Sequence, residues 1–505
     1  MSARITVFDT TLRDGEQSPG CSMTPAEKVR LARQIEQLGA DIIEAGFPIA
    51  SAGEVDSVRA VAAEVRGAKV AALARAKEPD IVAAGEALRG AARPVIHVFL
   101  ATSGIHLKWK LKITPEEALK QAAESVKLAR SLAPEVEFSA EDATRTDYGY
   151  LREVLQACFE GGATTLNVPD TVGYSLPHEY ADLVRRLVHD IPGAVISVHC
   201  HNDLGLAVAN SIAAVQAGAR QVECTINGIG ERAGNASLEE LVVALKVRGE
   251  ALGAHTGVRA ELLAPTSAML AGTTGIWPQP NKAVVGRNAF AHEAGIHQHG
   301  ILANPLTYEI MTPASVGVKE TLLVLGKHSG KHAVESRLRA LGVRLGAEEV
   351  EAVTARVKKL ADAQKFVYDD DLLALVGGAQ ARSVRLVRFQ AFSGSQVLPT
   401  ATVEVEVDGQ RRSASAVGNG PLDAALKAAD AALGLDLELV ELTTRAVTGG
   451  KDAMAEVLVR VRHDGVETTG QGASTDTIEA GLKAYLSAVA AARAAHEPSL
   501  AVQEA

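Results

Sequence analysis

The sequence predicts an α/β protein: a (β/α)8 barrel, then a helical linker region, then a C-terminal α+β domain with an internal two-fold repeat. Three observations carry that prediction. Between residue 4 and about residue 250, short β-rich runs alternate eight times with amphipathic helical stretches. Around Trp277-Pro278-Gln279-Pro280-Asn281 the alternation stops. From Ser383 onward a pattern of strand, turn, strand and helix occurs twice. At 505 residues the chain is too long for one ordinary domain and suits about three, expected at 1–275, 276–380 and 381–505.

The eight runs are Ile5–Phe8, Asp41–Glu44, Lys69–Leu73, Val95–Leu100, Val136–Ser139, Thr165–Val168, Val195–Val198 and Gln221–Ile226. The first helical stretch, Thr24–Leu38, illustrates the alternation. Thr24 suits the cap, Pro25 the first turn, and Val29, Leu31, Ile35 and Leu38 recur at helical spacing. Eight βα units match a closed parallel barrel in count and length better than an open doubly wound sheet, and a barrel gathers its catalytic groups at the C-terminal strand ends. The stretch from 277 to about 378 reads as helices and loops without clear strands. In the repeat, Val403–Val407, the turn Asp408-Gly409, Gly418-Asn419-Gly420 and a helix from Asp423 match Val457–Val461, the turn Asp464-Gly465, Gly470-Gln471-Gly472 and a helix from Asp476. Asp-Gly between alternating strands is a strong hairpin signal. Two hairpin-plus-helix units would pack about a pseudo-dyad, with Gly-rich loops at their junction that either receive a small ligand or belong to a plain dimerisation domain.

Lys+Arg 51 against Asp+Glu 61 gives a net charge of -10 with the signs interspersed, which argues against nucleic acid or an anionic membrane as the main partner. Cys21, Cys158, Cys200 and Cys224 are isolated, without a C-x-x-C pair, as in a reduced cytoplasmic protein. Arg4–Asp9 lacks a signal-peptide pattern. Charged and polar residues interrupt the Ala-rich runs, so no segment reads as membrane-spanning.

The seventh run leads into His199-Cys200-His201-Asn202-Asp203. Alternate side chains of a strand share a face, so His199 and His201 project together while Cys200 points away. Two imidazoles on one face are half of a metal site; they also occur on ordinary solvated strands. Other strand ends supply oxygen ligands. The first run continues as Asp9-Thr10-Thr11-Leu12-Arg13-Asp14-Gly15-Glu16-Gln17, setting a guanidinium and a carboxylate side by side. Alone, this is a solvated turn with a surface ion pair. In a barrel, Asp14 faces His199 and His201, and Asn235, at the end of Gly228–Asn235, follows the eighth run beside the first. Two imidazoles, a carboxylate and an amide oxygen make a mixed N/O site for Zn2+, Mn2+ or Mg2+.

Such an ion would chelate a 2-oxo acid and polarise its carbonyl. Arg13 would hold developing negative charge, and Glu44, ending the second run, could orient Arg13. Ser139 and Glu141 share a face at i, i+2 and reach substrate from one side. Glu141 reads either as half of a structural ion pair or as a catalytic carboxylate at a strand end. His97 in the fourth run and Thr171 after the sixth point into the same mouth, although His97 alone reads as a satisfied core histidine.

Two glycine-containing stretches fail as nucleotide motifs. Gly228–Gly234 lacks G-x-G-x-x-G spacing. Gly326-Lys327-His328-Ser329-Gly330-Lys331-His332 has three residues where a phosphate loop has four, and no Ser/Thr after the lysine. Its cations beside a helix start could still receive phosphate groups.

Together, Phe8–Gln17, Phe138–Asp142, His199–Gly205, Asn227–Asn235 and His292–Gly300 resemble the acyl-CoA-condensing synthases that share an Asp-Arg-Glu metal barrel, most nearly the bacterial 2-isopropylmalate synthase family, over essentially the whole chain. The resemblance implies condensation of acetyl-CoA with 3-methyl-2-oxobutanoate to (2S)-2-isopropylmalate and CoA, the first committed step of leucine biosynthesis. It implies that Asp14, His199, His201 and Asn235 hold one divalent ion and that Arg13, next to Glu44, binds and polarises the oxo acid. Leu73, His97, Ser139 and Thr171 are the implied pocket residues. Glu141 and His297, assisted by Tyr308, are implied in acid/base work, without an assignment of which takes the methyl proton. A homodimer is implied, with His297 and Tyr308 of the linker reaching the partner's barrel, as is a leucine-binding regulatory domain in the repeat. Gly104, in Ala101-Thr102-Ser103-Gly104-Ile105-His106, departs from the proline or bulkier residue expected there.

Rival readings are a citramalate synthase taking pyruvate and a homocitrate synthase taking 2-oxoglutarate. One or two methyl groups change affinity by only about 1–3 kcal/mol, so Leu73 and its neighbours do not decide among them. A metal-dependent aldolase or lyase would need no acetyl-CoA, and the match through 292–332 speaks against it. A non-catalytic leucine-responsive protein using 383–505 is opposed by the intact metal and carboxylate set.

Overall fold

The structure, a computed structural model, describes residues 2–292, 297, 300, 301, 303–318, 322, 323, 330–340, 343, 345–363, 372, 375, 376, 384–435, 437–446, 450, 453–463 and 466–496. They fall into two compact units, Met1–Val367 and Tyr368–Ala505.

In the first unit eight parallel strands close a barrel: β1 (Thr6–Asp9), β2 (Ile42–Glu44), β3 (Lys69–Arg75), β4 (Pro94–Ala101), β5 (Glu135–Glu141), β6 (Thr165–Asp170), β7 (Val195–Cys200) and β8 (Gln221–Cys224). β1 pairs with β2 on one side and β8 on the other, which closes the ring as expected from the eightfold alternation. After each strand comes its helix: α1 (Pro25–Leu38), α2 (Ala52–Glu64), α3 (Glu78–Ala87), α4 (Pro115–Leu132), α5 (Tyr148–Glu160), α6 (Pro177–Asp190), α7 (Ala207–Ala217) and α8 (Leu238–Leu252).

Local chemistry explains these boundaries. The Thr24 hydroxyl accepts from the Glu27 amide while the Glu27 carboxylate accepts from the Thr24 amide at 2.7 Å, a capping box that stabilises α1 by about 1 kcal/mol. Gly39, at φ 93°, ends the helix in a conformation that favours glycine. Leu31, Ala32, Ile35 and Leu38 are its buried stripe.

The barrel interior has an apolar cluster of Phe8, Ile42, Ala71 and Val95 and, against it, a buried polar layer. Gln221 Nε2 donates to both oxygens of Glu137, at 2.9 and 2.8 Å. β5 and β8 are not neighbours, so this bond crosses the inside of the ring. That layer lies beneath the rim where the strands end.

Beyond β8 come α9 (Leu263–Thr274), α10 (Lys331–Ala340) and α11 (Ala347–Ala363). The reading of 277–378 as strand-free needs one correction, since Ala291–His292 pairs in parallel with Leu322–Leu323. Two residues a side are too few to leave a periodic pattern. Among the described residues no helix is long and apolar enough to cross a membrane.

The second unit contains two sheets of three antiparallel strands, each followed by a helix: β9 (Val384–Gly394), β10 (Val397–Val407), β11 (Gln410–Val417) and α12 (Pro421–Leu433); then β12 (Glu438–Ala446), β13 (Ala455–His463), β14 (Val466–Ser474) and α13 (Thr477–His496). Asp408 and Gly409 have φ values of 51° and 80°, the primed turn expected of that dipeptide. The repeat is therefore real but larger than the hairpin-plus-helix expected. Register shifts between Leu386 and Arg388 and between Leu439 and Glu441 break the two-residue period of β9 and β12, which hides both strands in the sequence.

A second correction concerns the glycines. Gly418–Gly420 does join a strand to a helix, but Gly470 and Gly472 lie inside β14, opposite Val459 and Val457. A Cβ at Gly470 would overlap the Ala484 carbonyl oxygen and Ala488 nitrogen of α13, so these glycines admit the helix onto the sheet. Asp464-Gly465 and Gly326–Ser329 lie outside the described residues.

Candidate metal centre

The rim is assembled from the ends of β1, β7 and β8. After β1 the chain turns so that the amides of Asp14 and Gly15 both donate to the Thr10 carbonyl, at 2.9 and 3.1 Å. The Thr11 hydroxyl donates to Asp9 at 2.9 Å and accepts from the Ile226 amide at 2.9 Å, tying this turn to the loop after β8. Burial raises the Asp9 carboxyl to about 7 against the opposing Thr11 bonds.

His199 and His201 leave β7 on one side, their ring centroids 4.9 Å apart, and His199 Nε2 stands 3.3 Å from Asp14 Oδ2. One donor atom from each of Asp14, His199 and His201 lies within 4.8 Å of the others, and all three residues are buried. Asn235 joins them through its backbone bridge to His201, and the Ala236 amide donates to the Cys200 carbonyl at 2.9 Å. The glycines before it are sterically required, since a Cβ at Gly230 would overlap the Asn235 amide. Asn235 Nδ2 donates to the Ile229 carbonyl at 3.1 Å.

Asp14 Oδ2, His201 Nδ1 and Asn235 Oδ1 are buried without a hydrogen-bond partner. An orphaned buried polar atom costs about 1–3 kcal/mol, and two of these three belong to the clustered Asp14 and His201, with the third on Asn235, bridged to His201. Mixed nitrogen and oxygen donors of this kind fit a divalent ion.

The electrostatics agree. Burial opposes ionisation of Asp14, but Arg13, His199 and His201 outweigh it and hold the carboxyl below its usual range. Burial, and then His199, lower His201 to about 4, which keeps it a neutral donor. For His199 burial works downward, yet the bond from Nδ1 to Glu223 Oε2 at 2.8 Å helps carry it upward.

Arg13 Nε donates to Glu44 Oε2 at 2.6 Å and Nη1 lies 3.3 Å from Asp14 Oδ1. The other Glu44 oxygen bonds His97 Nδ1 at 2.6 Å, and His97 Nε2 bonds the Ser139 hydroxyl at 2.7 Å. Burial opposes charge on both Glu44 and His97. Arg13 and His97 nevertheless hold Glu44 low, and Glu44 carries His97 up to about 9. The satisfied-histidine reading of His97 thus describes its bonding, within a network that supports Arg13.

Leu73 is buried on β3, opposite His97 in register. The Thr171 hydroxyl accepts from the Asp142 amide at 2.9 Å. Glu141 ends β5 with Oε1 2.5 Å from Lys110 Nζ, so the ion pair that was one of its two readings is present. His297 and Tyr308 are exposed and in tilted ring contact, centroids 4.6 Å apart, with the His292 ring 6.4 Å from that of Tyr308. Among the described residues, none of the contacts that build the Asp14 cluster involves this pair.

Sequence reasoning passed over Lys110, Glu137 and Glu223. For Glu137 and Glu223 a signal existed: each is a charged residue within a β-rich run of a barrel strand whose neighbours are apolar.

Three family models tile the chain: HMGL-like over residues 4–270, homocitrate synthase post-HMGL domain-like over 284–365, and LeuA allosteric (dimerisation) domain over 366–492. Curated relatives named 2-isopropylmalate synthase match it along its length. The protein of Syntrophus aciditrophicus is 51% identical over 492 residues, covering 96% of this chain and 95% of its own. That of Pyrococcus furiosus is 52% identical over 498 residues, with 97% and 99% covered. That of Aquifex aeolicus is 48% identical over 498 residues, with 97% and 96% covered. Matches of this identity extend over nearly the whole of both chains, and the chain belongs to the 2-isopropylmalate synthase family of enzymes.

Proposed function

We propose that this chain condenses acetyl-CoA with 3-methyl-2-oxobutanoate to give (2S)-2-isopropylmalate and CoA, under feedback inhibition by leucine at the C-terminal unit. One observation carries the reading: Asp14, His199 and His201 cluster beside an arginine already oriented by Glu44, with unpartnered buried donor atoms on Asp14, His201 and Asn235. A divalent ion, Mn2+, Zn2+ or Mg2+, held by Asp14, His199, His201 and Asn235 would supply Lewis-acid polarisation of the oxo-acid carbonyl.

The chain's own residues do the rest. Arg13 binds the oxo acid and meets the negative charge that develops on its carbonyl oxygen, with Glu44 fixing the guanidinium in advance. Leu73, His97, Ser139 and Thr171 line the pocket, Leu73 offering an apolar surface to the branched side chain. The acetyl methyl group gives a proton to Glu141 or His297, with Tyr308 assisting. Its carbon then bonds C2 of the oxo acid, whose oxygen takes up a proton, and water cleaves the thioester to release the CoA thiol. Lys110 sets the direction of the Glu141 carboxylate.

We place His297 and Tyr308 in the partner's barrel within a homodimer, a role supported by their exposure and mutual ring contact and by the LeuA dimerisation match. On this reading residues 1–275 are the catalytic barrel, 276–380 the linker and 381–505 the leucine-binding domain. A cytoplasmic location is supported by four buried free cysteines.

The test is free-thiol release from acetyl-CoA with 3-methyl-2-oxobutanoate, pyruvate and 2-oxoglutarate, with and without leucine. The expected result is the highest kcat/KM with 3-methyl-2-oxobutanoate and inhibition by leucine. Highest activity with pyruvate or 2-oxoglutarate would replace the substrate; no release with any oxo acid would end the synthase reading.

A further inference from the structure

We propose that Glu223 is a positioning residue for the metal centre, fixing the His199 ring so that Nε2 faces the site. The inference rests on the metal-centre reading above. Its basis is a register fact: β7 and β8 are neighbours, and His199 is paired directly with Glu223. The backbone therefore sets carboxylate beside imidazole whatever occupies the rim.

The side-chain geometry completes the contact. Glu223 is 1% exposed, and its Oε2 lies 2.8 Å from His199 Nδ1, while Nε2 on the opposite side of the ring is 3.3 Å from Asp14 Oδ2. An imidazole that gives its Nδ1 hydrogen to a carboxylate presents a lone pair at Nε2, as a ligand must. The arrangement is particular to His199, since His201 Nδ1 is buried without a partner.

Glu223 also has a second connection. Its Oε1 lies 3.9 Å from His97 Nε2, and His97 leads through Glu44 to Arg13. The proposed ion ligand and the substrate-binding guanidinium thus stand on one buried layer. A buried carboxylate is weak as a stability device, because a well-packed apolar side chain is often as good or better. Its contact with a ligand histidine gives it a role that an apolar residue could not fill.

The experiment uses full-length, metal-free protein titrated with Mn2+, with the free ion followed by electron paramagnetic resonance. Wild type is expected to bind, Glu223→Ala to weaken binding by about 10–100-fold, and Glu223→Gln to weaken it less, because the amide oxygen can still accept from Nδ1. Both variants are expected to lower the metal-free Tm, as loss of one partner of a buried pair does, so affinities are compared well below each variant's own Tm. Equal Mn2+ affinity in wild type and both variants would overturn the role of Glu223 and leave the centre standing. Failure of wild type to bind Mn2+ would overturn the centre itself. Should the variants not fold, 15N-histidine spectra of metal-free wild type decide the question, the His199 signals being those lost in His199→Gln. The Nδ1-protonated tautomer is expected, and the Nε2-protonated one would overturn the proposal.

Discussion

Arg13 and Glu44 are joined at 2.6 Å, Nε donating to Oε2, on a carboxylate that is wholly buried and shares its other oxygen with His97. Replacing Glu44 by Gln removes the one negative charge between two cationic groups and leaves Arg13 held by Asp14 and at most a neutral amide. Loss of a preoriented donor costs about 10²–10³ in rate, and breaking a buried pair costs about 3–5 kcal/mol of stability. We therefore expect Glu44→Gln to lower kcat/KM for the oxo acid at least a hundredfold in the thiol assay and to lower Tm. Near-wild-type kcat/KM would remove Glu44 from the support of Arg13.

The polar layer below makes stability depend on pH with a definite sign. Burial and then Glu223 raise Glu137 from 4.5 to about 8; burial opposes charge on His97, but Glu44 raises it from 6.5 to about 9. Both groups keep a proton in the folded chain that the unfolded chain has released. The folded state thus binds more protons than the unfolded one across these windows, and stability falls as pH rises. His201, lowered from 6.5 to about 4, acts oppositely but only below its ordinary value. We expect Tm of metal-free protein to fall from pH 6.5 to 9, and Glu137→Gln to flatten the part below about pH 8. A Tm that rises over that range would contradict the proton placement.

How much of this was legible depends on whether the information was local. Strand alternation and the βα count bring Arg13, Asp14, His199, His201 and Asn235 to one rim, because parallel strands in a closed ring all end there. Which neighbour touches which is set by register between distant segments, as for His199 and Glu223, 24 positions apart in the chain. Lys110 was hidden for another reason. It sits in a π-helical turn, Leu107–Leu111, whose period matches neither strand nor α-helix, so nothing in the sequence aims it at Glu141. In the second unit local breaks did the hiding, through the bulges of β9 and β12.

Removing one proposed ligand should uncouple the ion from the fold. Wild type at about 100 times the Kd for Mn2+ gains about 2.7 kcal/mol of stability from binding, seen as a rise in Tm. His201→Ala is expected to lose that rise, to retain no ion after dialysis and to lose turnover. Retained wild-type turnover and ion content would show that the ion sits elsewhere.

Gly470 offers a test of the second unit. Its Cβ would fall on backbone atoms of Ala484 and Ala488, which cannot turn aside as a side chain could, so Gly470→Ala must lift α13 from β14. Behind that contact lie Val457, Val459, Val461, Tyr485 and Val489, all buried in one core. Overpacking of this kind costs about 1–3 kcal/mol. Gly420→Ala is the control: no atom lies within 4 Å of its Cβ position, and an alanine at this helix cap should cost about 1 kcal/mol or less. Hydrogen exchange followed by mass spectrometry should show faster exchange in Thr477–His496 for Gly470→Ala, with Pro25–Leu38 unaltered. Thiol release should persist while leucine inhibition weakens, because the lesion is confined to the unit proposed to bind the effector. Unaltered exchange in α13 would mean the helix has room for the methyl group and that Gly470 is not there to admit it.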